Sequence, residues 1–314
     1  MRNLKHSVLL VVFLAAFLAA CGKEEEEGVE KVMEPEMLST TFLQGDYEKV
    51  YSQMSKAFRD EVSLNQLQKL GDDFNQGVTE YILQSELSLD GGKRYVWTDE
   101  TGTKGITAVF DEKDIIQGLQ IMPLETHPKE DNQYTKTVFN FPFHDQWYVF
   151  WGGTNSLVNY HYEYENQRYA YDFVKMKNGS TYEGDPTMNE SYHAFGEDYL
   201  APADGTVVKV ENDVKDNEPV GDMNTEQPLG NHVILDHGNK EFSYLAHFKS
   251  QSITVKEGDK VKQGDPLGLV GNSGNSSEPH IHFHVADSAK PKTSESINIT
   301  FDREEPIIQG DFVE

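Results

Sequence analysis

Pro279-His280-Ile281-His282-Phe283-His284-Val285 alternates two kinds of side chain residue by residue. Successive side chains of a β-strand point to opposite faces, so Ile281, Phe283 and Val285 share one face and His280, His282 and His284 the other. The first face belongs in an apolar core. The second lines up imidazoles, the side chains most often used as transition-metal ligands. A lone histidine in a strand is usually structural, but three on one face of a strand whose other face is apolar point to a metal-binding or catalytic β domain.

Working outward, Phe242 to Phe248 is a second alternating run, and strict alternation puts His247 on the face of Ser243 and Leu245. Between the two runs, Gly258-Asp259, Gly264-Asp265 and Gly271-Asn272-Ser273-Gly274 mark tight turns in positions that favour positive φ. From Thr135 onward the chain reads as almost entirely β, with aromatic runs such as Phe139, Phe141, Phe143 and Trp147, and with no helix.

The N-terminal half has a different pattern. From about Glu34 to Asn75 apolar residues recur at helical spacing (Phe42, Val50, Met54, Phe58, Leu64, Leu67, Leu70), with Ser63 as a cap, which predicts two or three helices. Between Gly77 and Leu124, β-type runs at 81–89, 94–98, 105–110 and 115–122 are broken by Asp90-Gly91-Gly92 and Glu100-Thr101-Gly102. The expected fold is multidomain. An N-terminal α+β domain over 34–123, helices then an antiparallel meander, precedes a mainly antiparallel β domain over 124–314. The first resembles the cone-shaped domains of the nuclear-transport-factor-two-like superfold. It offers no convergent catalytic set and reads as a spacer or wall-binding module.

At the extreme N-terminus, Arg2 and Lys5 precede an apolar run from Val8 to Ala20, too short for an ordinary membrane span, which predicts a signal peptide over residues 1–20. Leu18-Ala19-Ala20-Cys21 resembles the bacterial lipobox, and Cys21 is the chain's single cysteine. The expectation is a lipid on Cys21, an acidic tether over 21–33 around Glu24-Glu25-Glu26-Glu27, and a protein anchored to the outer side of the cell membrane. The formal net charge of −26 becomes −28 once Arg2 and Lys5 are removed. Such a surface repels nucleic acid, so no nucleic-acid partner is expected.

Several longer motifs follow one another in a recognisable order: Ala201-Pro202-Ala203-Asp204-Gly205, Gly230-Asn231-His232-Val233-Ile234-Leu235-Asp236-His237-Gly238, Tyr244-Leu245-Ala246-His247, the Gly-Asp turns, and Pro279-His280-Ile281-His282. Over about residues 160–290 the chain resembles the lysostaphin and LytM-like zinc endopeptidases. The resemblance implies that His282 and Asp172 bind Zn²⁺, that His247 and His280 are catalytic, and that His232 and His237 are structural. It further implies that the partners are peptidoglycan stem or bridge peptides. Zinc favours nitrogen and carboxylate ligands and keeps one position open for water, which suits this set.

The family places a histidine four residues before its aspartate, where this chain has Arg168. Arginine is always charged and cannot ligate zinc. His161 is the expected substitute. Asn159 to Glu163 reads as a strand with His161 opposite the tyrosines, and Arg168 to Val174 as the next strand. A two-residue turn at Asn166-Gln167 pairs His161 with Asp172, whereas a three-residue turn at 165–167 shifts the register and puts His161 on the wrong face. The segment from Lys175 to Tyr199 is expected to form one wall of the groove. Because of Arg168, the alternative to a zinc endopeptidase is a degenerate domain of the same fold that binds wall peptide or activates another hydrolase. Carrier domains of biotinyl or lipoyl type also have turn-rich barrels, but their partners are cytoplasmic and the lipobox argues against them.

Overall fold

The computed structural model describes residues 30–89 and 91–314; the expected signal peptide, Cys21 and most of the expected tether lie outside the described residues. Among the described residues no helix is long and apolar enough to cross a membrane. The chain divides between Thr126 and His127 into two compact units.

The first unit opens with four short helices, α1 (Leu38–Leu43), α2 (Tyr47–Ser52), α3 (Lys56–Glu61) and α4 (Leu64–Phe74). Four strands follow, β1 (Tyr81–Leu89), β2 (Gly92–Asp99), β3 (Lys104–Phe110) and β4 (Ile116–Pro123), in one antiparallel sheet ordered as in the sequence. Ser63 caps α4 in a reciprocal box: its hydroxyl accepts the Gln66 N–H while the Gln66 side chain accepts the Ser63 N–H, satisfying two donors that the helix leaves open. Alternate residues of the sheet, Tyr95 and Trp97, Ile106 and Ala108, Leu119 and Ile121, share one buried cluster with Phe42, Val50, Met54 and Leu67 of the helices. Residues 31–33 belong to the expected tether. They are docked, with the Val32 and Met33 N–H groups donating to the buried Gln53 carboxamide, which donates back to the Met33 carbonyl. A buried amide needs partners, and this segment supplies them.

The second unit begins with a single-turn helix, α5 (Pro128–Asp131). Its strands are β5 (Tyr134–Phe139), β6 (Trp147–Trp151), β7 (Tyr171–Val174), β8 (Asp198–Leu200), β9 (Gly205–Glu211), β10 (Asn231–Asp236) and β11 (Phe242–Phe248). They continue with β12 (Lys260–Val261), β13 (Pro266–Leu269), β14 (Ile281–Ala286), β15 (Ser296–Phe301) and β16 (Phe312–Val313). Ten of these form one sheet along the path β12-β9-β10-β11-β14-β7-β6-β16, with β15 joining β14 to β5; β8 and β13 pair separately. The absence of helix expected after Thr135 is relieved only by 3-10 turns at Tyr160–Glu163 and Asn189–Ser191. Ile281, Phe283 and Val285 of β14 enter the main core beside Phe173, Leu245 and Phe248, so the apolar half of the alternation lies where its spacing puts it. The histidine half faces the other way, and its position on a central strand fixes everything that follows.

Candidate metal centre

Strand β14 meets β7 so that His282 lies directly opposite Asp172, and it meets β11 so that His282 lies opposite Ala246 and His284 opposite Tyr244. Opposed residues of paired strands share a face with Cβ atoms about 4.5–5.5 Å apart. The small Ala246 leaves the His282 ring room on that face. His282 Nδ1 stands 2.9 Å from Asp172 Oδ1.

His161 reaches the same carboxylate by a route other than the expected hairpin. Tyr160–Glu163 is a 3-10 turn, begun by Asn159, whose side-chain oxygen accepts the His161 N–H. Asp172 sits on a strand whose two edges are already taken, one by β14 and the other by β6, where Trp151 is its partner. No edge remains for a strand carrying His161. Instead the turn places His161 Nε2 3.5 Å from Asp172 Oδ2. Arg168 does not face the cluster either. Its guanidinium donates to the Tyr162 carbonyl at 2.6 Å and lies over the Tyr162 ring, tying down the turn that presents His161.

His161, Asp172 and His282 are buried and offer ligand atoms within 4.8 Å of one another. Two atoms bound to one tetrahedral zinc at ~2.0–2.1 Å stand about 3.3 Å apart, close to the 2.9 and 3.5 Å separations here. A sharper test of fit is His161 itself. The ring is 1% exposed and its Nε2 has no hydrogen-bond partner. Its tautomer follows from the network: the Asn159 amide nitrogen points at the carbonyls of Gly153, Arg168 and Ala170, so the Asn159 oxygen must accept from His161 Nδ1–H at 2.9 Å. That leaves a bare lone pair on Nε2, and burial lowers the His161 pKa to about 3, keeping the ring neutral. A buried acceptor without a donor is costly unless a cation takes it.

Two more imidazoles flank the three. His280 Nδ1 donates to the Glu278 carbonyl at 2.8 Å, and its Nε2 lies 3.5 Å from Asp172 Oδ1. His247 Nδ1 donates to the Ser273 carbonyl at 2.7 Å, and its ring centroid is 4.8 Å from that of His280 and 5.6 Å from that of His282. Strict alternation would have sent His247 to the core face with Leu245. A bulge corrects this: pairing runs Asn231 with Phe248 and then Val233 with Leu245, so β11 spends one extra residue, and His247 takes φ +66°. Bulges re-aim side chains in this way. Opposite it, Gly230 and Gly274 pack backbone to backbone, a closeness any Cβ would forbid, and this brings the Ser273 carbonyl under His247.

The electrostatics differ across the cluster. Burial holds the His247 pKa well below its ordinary value, so that ring is neutral. Burial works in the same direction on His280, but the Asp172 carboxylate beside it prevails and the pKa is raised. Burial opposes the charge of Asp172 as well, and the imidazoles of His161, His280 and His282 outweigh it, keeping the carboxyl well below its usual range. His232 and His237 bond outside the cluster: His232 Nδ1 donates to the Gly230 carbonyl while its Nε2 has no partner, and His237 reaches the Asp204 carbonyl and the Ser243 hydroxyl.

A cavity of about 320 Å³ adjoins Asp172 and His280, walled by Trp151, Tyr160, Met223, Asn275 and Glu278 among others. None of its lining comes from 175–199, contrary to the expected groove wall. That segment lies against the lining loops instead: Thr181 donates to Glu278, Asn189 donates to the Asn217 carbonyl, and Asn272 donates to Asn189. Asn159 was legible in the sequence only as the start of an expected strand and Arg168 only as the residue at the missing ligand position; their placement depends on partners that no spacing rule reveals.

The fold and site together define a β domain built around a buried histidine–aspartate cluster whose ligand atoms could hold a metal ion. Residues 192–294 match the family described as Peptidase family M23, a stretch that includes His247, His280 and His282 but begins after Asp172. The similarity to this family lies wholly within the C-terminal unit. The chain is 36% identical over 70 residues to the Peptidoglycan DD-endopeptidase ShyA of Vibrio cholerae, covering 22% of this chain and 16% of that protein. It is 34% identical over 59 residues to the Murein hydrolase activator EnvC of Escherichia coli, covering 19% and 14%. The match thus spans less than a fifth of either relative's length. Among solved structures, the catalytic domain of the antimicrobial peptidase lysostaphin from Staphylococcus simulans aligns at 21% identity over 55% of this chain and 95% of that one, with a TM-score of 0.27.

Proposed function

We propose that the C-terminal unit is a zinc metallopeptidase that hydrolyses peptide bonds of peptidoglycan stem or bridge peptides. The observation that carries this reading is the bare, buried Nε2 of His161 beside Asp172 and His282, with two further imidazoles at the cluster's edge. His161, Asp172 and His282 would hold the ion. When bound, zinc supplies a Lewis acid and lowers the pKa of a coordinated water toward neutrality. His247, neutral and pinned through Nδ1, keeps Nε2 free to take a proton. His280, pinned through Nδ1 and inclined to hold its charge beside Asp172, is suited to donate from Nε2 to a developing oxyanion or a leaving amine. Substrate peptide would lie in the cavity walled by Trp151, Tyr160 and Glu278.

The likeness to an activator favours a second reading, in which the domain binds wall peptide and stimulates another hydrolase without cutting. Incubating the mature chain with purified cell walls separates the two. Soluble peptide is expected with zinc and none after chelation. Folded, zinc-loaded protein that releases nothing alone, but raises release by a second hydrolase, would replace the first reading with the second.

We also propose that a lipid on Cys21 anchors the chain to the outer side of the cell membrane, on the strength of Leu18-Ala19-Ala20-Cys21 after an apolar run. Cys21→Ala is expected to move the protein from the membrane fraction to the soluble one. A variant that still sediments with membranes like wild type removes the anchor.

A further inference from the structure

His284 lies outside the five residues of the candidate site, yet it makes one of the closest contacts there. Its Nδ1 stands 2.9 Å from His282 Nε2, the ring nitrogen that faces away from Asp172. The His284 side chain is 3% exposed, and its ring stacks on Tyr244 with centroids 4.4 Å apart and planes 11° from parallel. This stacking follows from the register, because Tyr244 is the residue opposite His284 in β11. Tyr244 is itself held by a 2.7 Å hydrogen bond from its hydroxyl to the Ser288 carbonyl. The ring of His284 is therefore clamped in plane, with one nitrogen aimed at His282.

Two imidazole nitrogens at that distance must be one donor and one acceptor. If His282 offers the Nδ1 lone pair to a metal, its proton is on Nε2, and His284 Nδ1 must receive it. We propose that His284 is a positioning residue that accepts the His282 Nε2–H and thereby fixes the tautomer and ring plane in which His282 Nδ1 faces the metal. This inference rests on the zinc reading above. Asn159 does the corresponding work for His161, so each of the two ligand imidazoles would have its second nitrogen engaged by a buried side chain. The difference is that an imidazole can accept at Nδ1 only if its own proton sits on Nε2. The arrangement thus specifies the tautomer of both rings.

The test compares zinc affinity, by chelator competition, in wild type, His284→Phe and His284→Asn. Phenylalanine keeps a flat ring against Tyr244 but offers no acceptor, and should weaken zinc binding by about 10–100-fold. Asparagine places an amide oxygen near the position of Nδ1 and should restore most of the loss, which a purely space-filling role would not do. A phenylalanine variant that folds and binds zinc like wild type overturns the proposal. Nitrogen chemical shifts of histidine-labelled, zinc-loaded wild type give a second reading that needs no variant. Protons are expected on Nε2 of both His282 and His284, and a proton on His284 Nδ1 overturns the assignment. Wild-type protein that takes up no zinc would sink the metal reading and this role with it, whereas loaded wild type with an unaffected phenylalanine variant sinks only the role of His284.

Discussion

Alanine at His280 or at His247 is expected to leave zinc uptake intact while lowering peptide release from cell walls by about 10²–10⁴-fold, the usual range for losing a positioned acid or base. Neither ring belongs to the buried triad of His161, Asp172 and His282, so the coordination shell keeps its members. What disappears is proton transfer. His247 and His280 each spend Nδ1 on a backbone carbonyl, which orients the ring and reserves Nε2 for chemistry. The two should differ in pH profile, since burial keeps His247 neutral while Asp172 favours the charged form of His280. Metal content and wall hydrolysis measured on the same preparations decide the matter. Equal zinc loss in both variants would contradict the division between ligands and proton carriers.

His161→Ala and Asp172→Ala are expected to lose the metal itself. A four-coordinate zinc site bound with ~10–16 kcal/mol assigns about 2.5–4 kcal/mol to each ligand, or about two to three decades in affinity. The effect at Asp172 should be compounded, because its carboxylate also approaches all three neighbouring imidazoles. For His161 the outcome discriminates sharply. Asn159 and Arg168 hold its turn through the backbone and through Tyr162, so the turn can persist without the imidazole. Unchanged zinc affinity in His161→Ala would exclude this residue from the site.

The parts of this arrangement legible in the sequence are those governed by local periodicity. Alternation in 279–285 located β14 and its two faces, and Ser63 announced the start of α4. Register between distant strands was not legible. Asp172 and His282 are 110 residues apart, and nothing in either segment says that they pair. The expected hairpin therefore brought His161 toward Asp172 through a pairing the fold does not contain, while a capped 3-10 turn brings it there in fact. His247 illustrates a second limit: alternation counts residues evenly, and a bulge inserts one that the count cannot anticipate. Asn159 was given no role, and His284 was placed on the histidine face without one, because what each does lies in a hydrogen bond to a ring that no spacing reveals.

The backbone at His247 carries a cost. A non-glycine residue in the left-handed region costs about 1–2 kcal/mol, and φ +66° places this histidine there. Judged by conformational preference alone, glycine is the better residue at 247. Selection for thermal stability and selection for turnover therefore pull this position in opposite directions. A lineage drifting away from hydrolysis toward mere binding has a step available here that relieves this backbone cost as it removes the imidazole.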